Sequence, residues 1–182
     1  MAATAPARLH APNRRARYRI AVLASSVDDV VRSAGGWLCD QAWAGCQVMA
    51  LIPRDADDRP LRILGADTLD MDRVLASRIR TVWPDTLAVA ADLYLRDARV
   101  RRGVLPTIAE GMTNVFMWGD NWPTEFDGLT TVVNHRLSIA ARAFKAHALA
   151  VASVPAAADD EAFRGFDLRS PRKGHVDLLT AS

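Results

Sequence analysis

RIAVLASSVDDVVRSAGGWLCDQAWAGCQVMALI, residues 19–52, decides how the chain folds. The run Ile20-Ala21-Val22-Leu23-Ala24 is apolar at consecutive positions, as in a strand covered by helices on both faces. The polar turn Ser25-Ser26-Val27-Asp28-Asp29 follows, then a helical pattern to about Gly45, then a second apolar run from Val48 to Ile52. Strand, turn, helix and strand at this spacing make a βαβ unit, with parallel strands and a right-handed crossover. Ligands of such sheets sit beyond the carboxyl ends of the strands. The turn at 25–29 lies there and carries two adjacent carboxylates.

Inside the helix, Gly35-Gly36 costs about 1 kcal/mol per glycine against alanine. A close approach of helix to sheet would explain the pair. Downstream, residues 61–64 read as a short strand, and Thr68 or Asp67 caps a helix that runs to Val82 and stops at Pro84. Residues 86–91 and 114–118 read as buried strands. The helical stretch 93–111 between them should kink or divide at Pro106. Residues 130–133 make a last short strand, and Ser138 caps a helix to about Ser153. The expected fold is α/β: a Rossmann-like, mostly parallel sheet with helices on both faces. Residues 1–17 read as a disordered basic arm, 18–153 as the domain, and 154–182 as an irregular tail whose Phe163, Phe166 and Leu168 are candidates to dock.

Composition sets outer bounds. Of 182 residues, 50% are hydrophobic and 24% charged, an ordinary globular mix. No apolar run approaches the ~20 residues of a membrane span, so no membrane association is expected. The first residues lack the apolar core of an export signal, which points to the cytoplasm. Cys39 and Cys46 would lie ~10 Å apart on a helix, too far for a disulfide, and read as buried thiols. Glycine-rich dinucleotide and phosphate loops, G-x-S-x-G and H-E-x-x-H are all missing, which disfavours ordinary Rossmann dehydrogenases and P-loop NTPases.

Three stretches together resemble the LmbE/PIG-L family of zinc-dependent N-acetylglucosaminyl deacetylases. VLASSVDDVVRSAGGWL is similar to its opening motif, His-Pro-Asp-Asp followed by a helix with a Gly-Gly pair; the four positions here are Ser26, Val27, Asp28 and Asp29. YLRDARVRRGVL resembles the second motif, His-Pro-Asp-His and an arginine; Asp97 and Arg99 match, while Leu95 and Ala98 stand where histidines are expected. VVNHRLSIAARAFKAHAL resembles the late helix, matching at Ser138, Lys145 and His147. The resemblance spans roughly residues 19–150. It implies a zinc site whose ligand positions are Ser26, Asp29 and Ala98, with Asp28 as the general base. Hydrolytic zinc takes about three protein ligands and an open position for water. One implied ligand in three, Asp29, can serve.

The sequence therefore supports three readings. The first is a non-catalytic binding or regulatory protein with no cofactor. Its pocket lies at the end of the first strand, and its ligand is a small sugar-like or nucleotide-like molecule or a protein. Ser25, Ser26, Asp28, Asp29, Trp118, Asp120, Trp122 and His135 are the candidate ligand-binding residues, with Trp118 and Trp122 able to stack on a ring. The second is a deacetylase or other hydrolase with rearranged ligands, drawn from His135, Asp29 and Asp57, in which Asp28 is a residual base. The third is a nucleic-acid-associated protein using Arg14, Arg15 and Arg17. A homo-oligomer fits any of them. Plainer roles fit the same residues: helix caps for Asp28 and Asp29, core packing for the tryptophans, capping or surface positions for His135 and His147, and a solvated tail for the arginines.

Overall fold

Strand β1 (Arg19–Leu23) runs parallel to β2 (Gln47–Ile52), from Arg19 against Gln47 to Leu23 against Leu51. Helix α1 (Val27–Trp43) joins them and buries Val27, Val30, Val31, Ala34, Leu38 and Cys39, spaced along one stripe. The computed structural model that shows this describes residues 17–77, 84–155 and 158–166. The sheet has seven strands in the order β3-β2-β1-β4-β5-β7-β6. Strands β3 (Asp67–Asp70), β4 (Thr86–Ala90) and β5 (Asn114–Trp118) continue the parallel part, and β4 at its centre is buried at every position. The last two, β6 (Thr130–Arg136) and β7 (Asp160–Phe166), are antiparallel.

The chain lays down β1, β2 and β3 in one direction, then crosses to β4 on the other side of β1. Right-handed crossovers in opposite directions put helices on opposite faces. Helices α1, α2 (Arg59–Ile63) and α6 (Ile139–Val151) pack against one another on one face. On the other, α4 (Ala91–Arg96) pairs with α5 (Ala98–Glu110). The expected Rossmann-like α/β architecture is thus present, and the reversal of strand order opens its crevice between β1 and β4. No helix among the described residues is long and apolar enough to cross a membrane.

Several elements differ from the sequence expectation. The stretch read as a strand at 61–64 is part of α2, because Pro60 in the first turn presets a helical φ. Residues 67–70, read as the start of a helix, form the edge strand β3; the helix begins at Met71 as α3 (Met71–Ala76), where the Asp70 side chain caps the Asp72 and Arg73 amides. The rest of that expected helix, from 78 to 82, lies outside the described residues. The division expected at Pro106 falls at Asp97 instead, where extended backbone (φ −111°) ends α4 and caps α5, while Pro106 sits inside α5. Strand β6 runs on to Arg136 and is not the last.

The largest departure is β7, in the region read as irregular tail. It inserts between β5 and β6, with Glu161, Phe163 and Gly165 buried and Ala162 and Arg164 exposed. Phe163 and Phe166 do dock, against Trp37, Phe116, Trp118 and Phe126. Leu168 and residues 1–16, with Arg14 and Arg15, lie outside the described residues; Arg17 is exposed.

The glycine pair packs on neighbours other than those expected. A Cβ on Gly35 would lie 3.1 Å from Leu64 Cδ1 and 3.8 Å from Lys145 Cγ, so the close approach there is to α2 and α6. Gly36 faces Leu137, and its N–H donates to the Glu161 carboxylate (2.8 Å), as does Trp37 N–H (2.7 Å). Glu161 also accepts from Lys145 Nζ at 2.6 Å; the two side chains are 1% and 4% exposed. A carboxylate from β7 thus holds the middle of α1 and the buried face of α6 together.

Candidate functional site

The turn after β1 ends in an N-cap. Ser26 is extended (φ −142°, ψ 133°), and its Oγ accepts from Asp29 N–H at 3.4 Å. At the end of β5, two strands along the sheet from β1, Trp118 is buried against Phe163, with ring centroids 6.5 Å apart and nearly perpendicular planes. Its Nε1–H donates to Asp29 Oδ2 at 3.0 Å. The Ser33 hydroxyl, one turn along α1, donates to Asp29 Oδ1 at 3.2 Å. Both carboxylate oxygens of Asp29 are therefore engaged. Asp28, one residue earlier, is exposed, and its side chain forms no hydrogen bond or ion pair among the described residues.

The crevice between β1 and β4 is bridged from α4. Arg96 Nη2 donates to Ser25 Oγ (3.0 Å) and its Nε–H to the Asp92 carbonyl (3.2 Å). Asn121 Nδ2, in the loop after β5, donates to Asp92 Oδ1 at 2.8 Å. Gly119 makes that loop's entry: at φ +119° it turns the chain directly over Ala91, where a side chain would be strained. The rim thus carries Ser25, Asp28, Asp92, Arg96, Asp120 and Asn121, all exposed, above a floor of buried Trp118 and half-buried Asp29 and Ser33.

The structure brings together Ser25, Ser26, Asp28, Asp29 and Trp118, with Asp120 on the adjoining loop. It separates Trp122 and His135 from them. Trp122 lies under the Arg164 guanidinium (4.6 Å to the ring centre) and beside Phe126. Arg164 and Phe163 are successive residues of β7 and face opposite sides of the sheet, so the two tryptophans do not form one stacking platform. His135 Nε2 pairs with Asp40 Oδ2 at 2.9 Å. Asp40 is eleven residues beyond Asp29 on α1, ~16 Å along its axis. Burial pushes the Asp40 carboxyl up, but hydrogen bonds from Ser138 and His135 outweigh it and hold the group below its usual range. Asp57, the third member of the rearranged set, is clamped by Arg59 at 2.6 Å. Among the described residues no group of three His, Cys, Asp or Glu side chains is placed to hold a metal ion.

The second stretch of resemblance has a structural use. Asp97 caps α5 through Arg99 N–H (2.8 Å) and binds the Arg99 guanidinium (2.6 Å), which also reaches Asp72 (2.8 Å). The Arg99 hydrogen bonds draw the Asp97 carboxyl from 3.8 down to about 2. Ala98 beside it is exposed. In the third stretch, Ser138 caps α6 by accepting from Ala141 N–H (3.0 Å), Lys145 makes the buried ion pair, and His147 is exposed.

Residues that the sequence reading missed are Ser33, Arg96, Asn121 and Glu161. For Glu161 no local signal existed: the buried positions of DEAFRGF hold Glu161, Phe163 and Gly165, which do not read as the apolar face of a strand.

No family model matches the chain, and no curated protein does. Solved structures do. The chain superposes on the A40926 pseudoaglycone deacetylase Dbv21 with a TM-score of 0.56 at 15% identity, covering 86% of this chain and 100% of that one. A triple mutant of the deacetylase Orf2, from the teicoplanin biosynthetic pathway, gives a TM-score of 0.57 at 14% identity over 81% of this chain and 97% of that one. This is the fold of the LmbE-like deacetylases. The 4-carboxy-2-hydroxymuconate hydratase GalB of Pseudomonas putida KT2440 also matches, at a TM-score of 0.51 and 14% identity over 86% of this chain and 98% of that one. A hydratase and deacetylases share the LmbE-like architecture, so the fold by itself assigns no reaction.

The zinc that the LmbE resemblance implies can be tested against the donors present. Ser26 offers a neutral hydroxyl that already caps α1. Asp29 has both oxygens occupied by neutral donors. Ala98 has no donor atom. One carboxylate cannot replace the three nitrogen, sulfur or carboxylate ligands that zinc requires, and the residues do not fit the metal.

Proposed function

We propose that this chain is a non-catalytic binding protein built on the LmbE-like fold, with its ligand site at the carboxyl ends of β1, β4 and β5. The observation that carries this reading is the Asp29 carboxylate, held by the Trp118 indole N–H and the Ser33 hydroxyl. A protein-bound donor pair stands where a catalytic relative would need a cation. Asp28, the residual base, is an exposed carboxylate whose side chain is bonded to no other described residue.

The rim favours a neutral, hydroxyl-rich ligand of the sugar class. Asp28 and Asp120 present carboxylate acceptors for sugar hydroxyls, and Ser25 and Asn121 add a hydroxyl and an amide. Exposed carboxylates at Asp28, Asp92 and Asp120 would repel the phosphates of a nucleotide, and Arg96, their one cationic neighbour in this set, is already bonded to Ser25. The test is a titration of the 15N-labelled chain with N-acetylglucosamine. The expected result is a saturable shift of the Trp118 indole N–H resonance, lost in Asp28→Asn with the fold intact. An indole resonance unmoved at high millimolar sugar would overturn the assignment of the ligand class.

A further inference from the structure

Strand β6 is the outermost strand on its side of the sheet, and among the described residues its one strand partner is β7. The two pair residue for residue over all seven positions, from Thr130 against Phe166 to Arg136 against Asp160, with no bulge. The outer edge of β6 therefore presents a straight row of backbone N–H and C=O groups. Proteins blunt such edges with short strands, lysine, proline, bulges or inward charges. TTVVNHR has no lysine, proline or bulge, and its one fixed charge, Arg136, stands at its last position and leaves Thr130–Asn134 unguarded. The opposite edge, β3, is four residues long and carries the carboxylates of Asp67 and Asp70. One edge of the sheet is guarded and the other is left open.

The side chains around the open edge point the same way. Thr130, Thr131, Val132 and Val133 are four β-branched residues in succession, the type that fits a pleated, paired strand. Val132 is 64% exposed and Val133 41% exposed, and successive residues lie on opposite faces. Leu129 before the strand and Ile139 just after it are 42% and 80% exposed. The edge is thus apolar above and below the sheet, at the position where an added strand would cover it.

We propose that β6 pairs antiparallel with β6 of a second copy of this chain, about a two-fold axis at Val133, joining two seven-stranded sheets into one. The register sets Val133 against its mate, Val132 against Asn134, Thr131 against His135, and Thr130 against Arg136. Charge favours a second copy as the occupant. Arg136 is the one fixed charge on the strand, and antiparallel self-pairing places the two copies at opposite ends of the ladder, ~20 Å apart. No carboxylate is brought against another. His135 stays on Asp40 of its own chain. Isologous two-fold contacts of this kind are the commonest in soluble homo-oligomers. The inference is independent of what the crevice binds.

Sedimentation equilibrium of the full chain across the micromolar range tests it, together with hydrogen exchange of the β6 amides. The expected mass rises from 19.9 kDa towards twice that value, and protection of the β6 amides rises with it. Val133→Lys sets two like charges face to face on the axis and should return the mass to one chain. Val132→Lys, at the more exposed position, should do the same with less strain on the fold, and it decides the matter if the first variant does not fold. Circular dichroism and thermal midpoints check that each variant is native. A wild-type chain that stays at 19.9 kDa would overturn the proposal, as would a dimer that survives both folded variants. So would β6 amides protected equally at every concentration, since the edge would then be covered from within the chain or by a bound peptide.

Discussion

Glu161→Ala should lower folding stability by about 3–5 kcal/mol, the cost of leaving a buried charge without its partner. Lys145 Nζ sits 2.6 Å from Glu161 Oε1, with both side chains almost fully buried. The same carboxylate accepts from the amides of Gly36 and Trp37. Removing it orphans one ammonium and withdraws acceptors from two backbone donors in the middle of α1, the helix that links β1 to β2. Lys145→Met should cost less, because Glu161 keeps its two amide donors. The double variant Lys145→Met/Glu161→Leu should recover part of the loss, since no bare charge remains in the core. Urea unfolding gives the measurement, with an unchanged slope showing that the midpoint reports stability. A loss below about 1 kcal/mol for Glu161→Ala would mean that water reaches Lys145 and that β7 does not anchor α1.

Gly36→Ala should destabilise the fold by about 1–3 kcal/mol, although alanine is the better helix former by about 1 kcal/mol. A Cβ at Gly36 would overlap Leu137 at both Cγ and Cδ2, and Leu137 is itself buried. Neither side has room to yield. Glu161 pins the Gly36 amide, and Gly35 already lies against Leu64 and Lys145. Gly36→Leu, with more bulk in the same place, should be worse still. Gly103, in α5, is the control: a Cβ there meets nothing within 4 Å, so Gly103→Ala should stabilise by about 0.5–1 kcal/mol. Adding Leu137→Ala to Gly36→Ala should relieve the overlap at the expense of a cavity. Equal thermal stability for Gly36→Ala and Gly103→Ala would show that α1 does not need its glycine.

The parallel core was legible because its strands are short apolar runs separated by helical spacings. Residues 19–52 declare the first βαβ unit by local pattern alone, and β4 and β5 follow the same rule. Short elements at the margin were not legible in this way. LRIL is as good a strand as a helix until Pro60 is counted as a first-turn residue, and DTLD becomes a strand only because β2 offers it an edge. In β7 the polar Asp160, Glu161 and Arg164 mask the alternation, and Glu161 is buried only because Lys145 lies 16 residues away in sequence and 2.6 Å away in space. The site divides along the same line. Ser26, Asp28 and Asp29 could be grouped from the sequence because they sit on one turn. The Trp118 indole N–H meets Asp29 across 89 residues, and no local pattern announces that contact.

In the reading proposed above, the Trp118 and Ser33 hydrogen bonds to Asp29 stand where the LmbE resemblance implies zinc. Elemental analysis of the purified chain, paired with acetate release from N-acetylglucosamine derivatives, tests it most directly. The expected result is no stoichiometric zinc, no acetate released with or without added zinc, and a Trp118 indole resonance that added zinc leaves in place. About one zinc per chain, with acetate release abolished by a chelator and by Asp29→Ala, would contradict it.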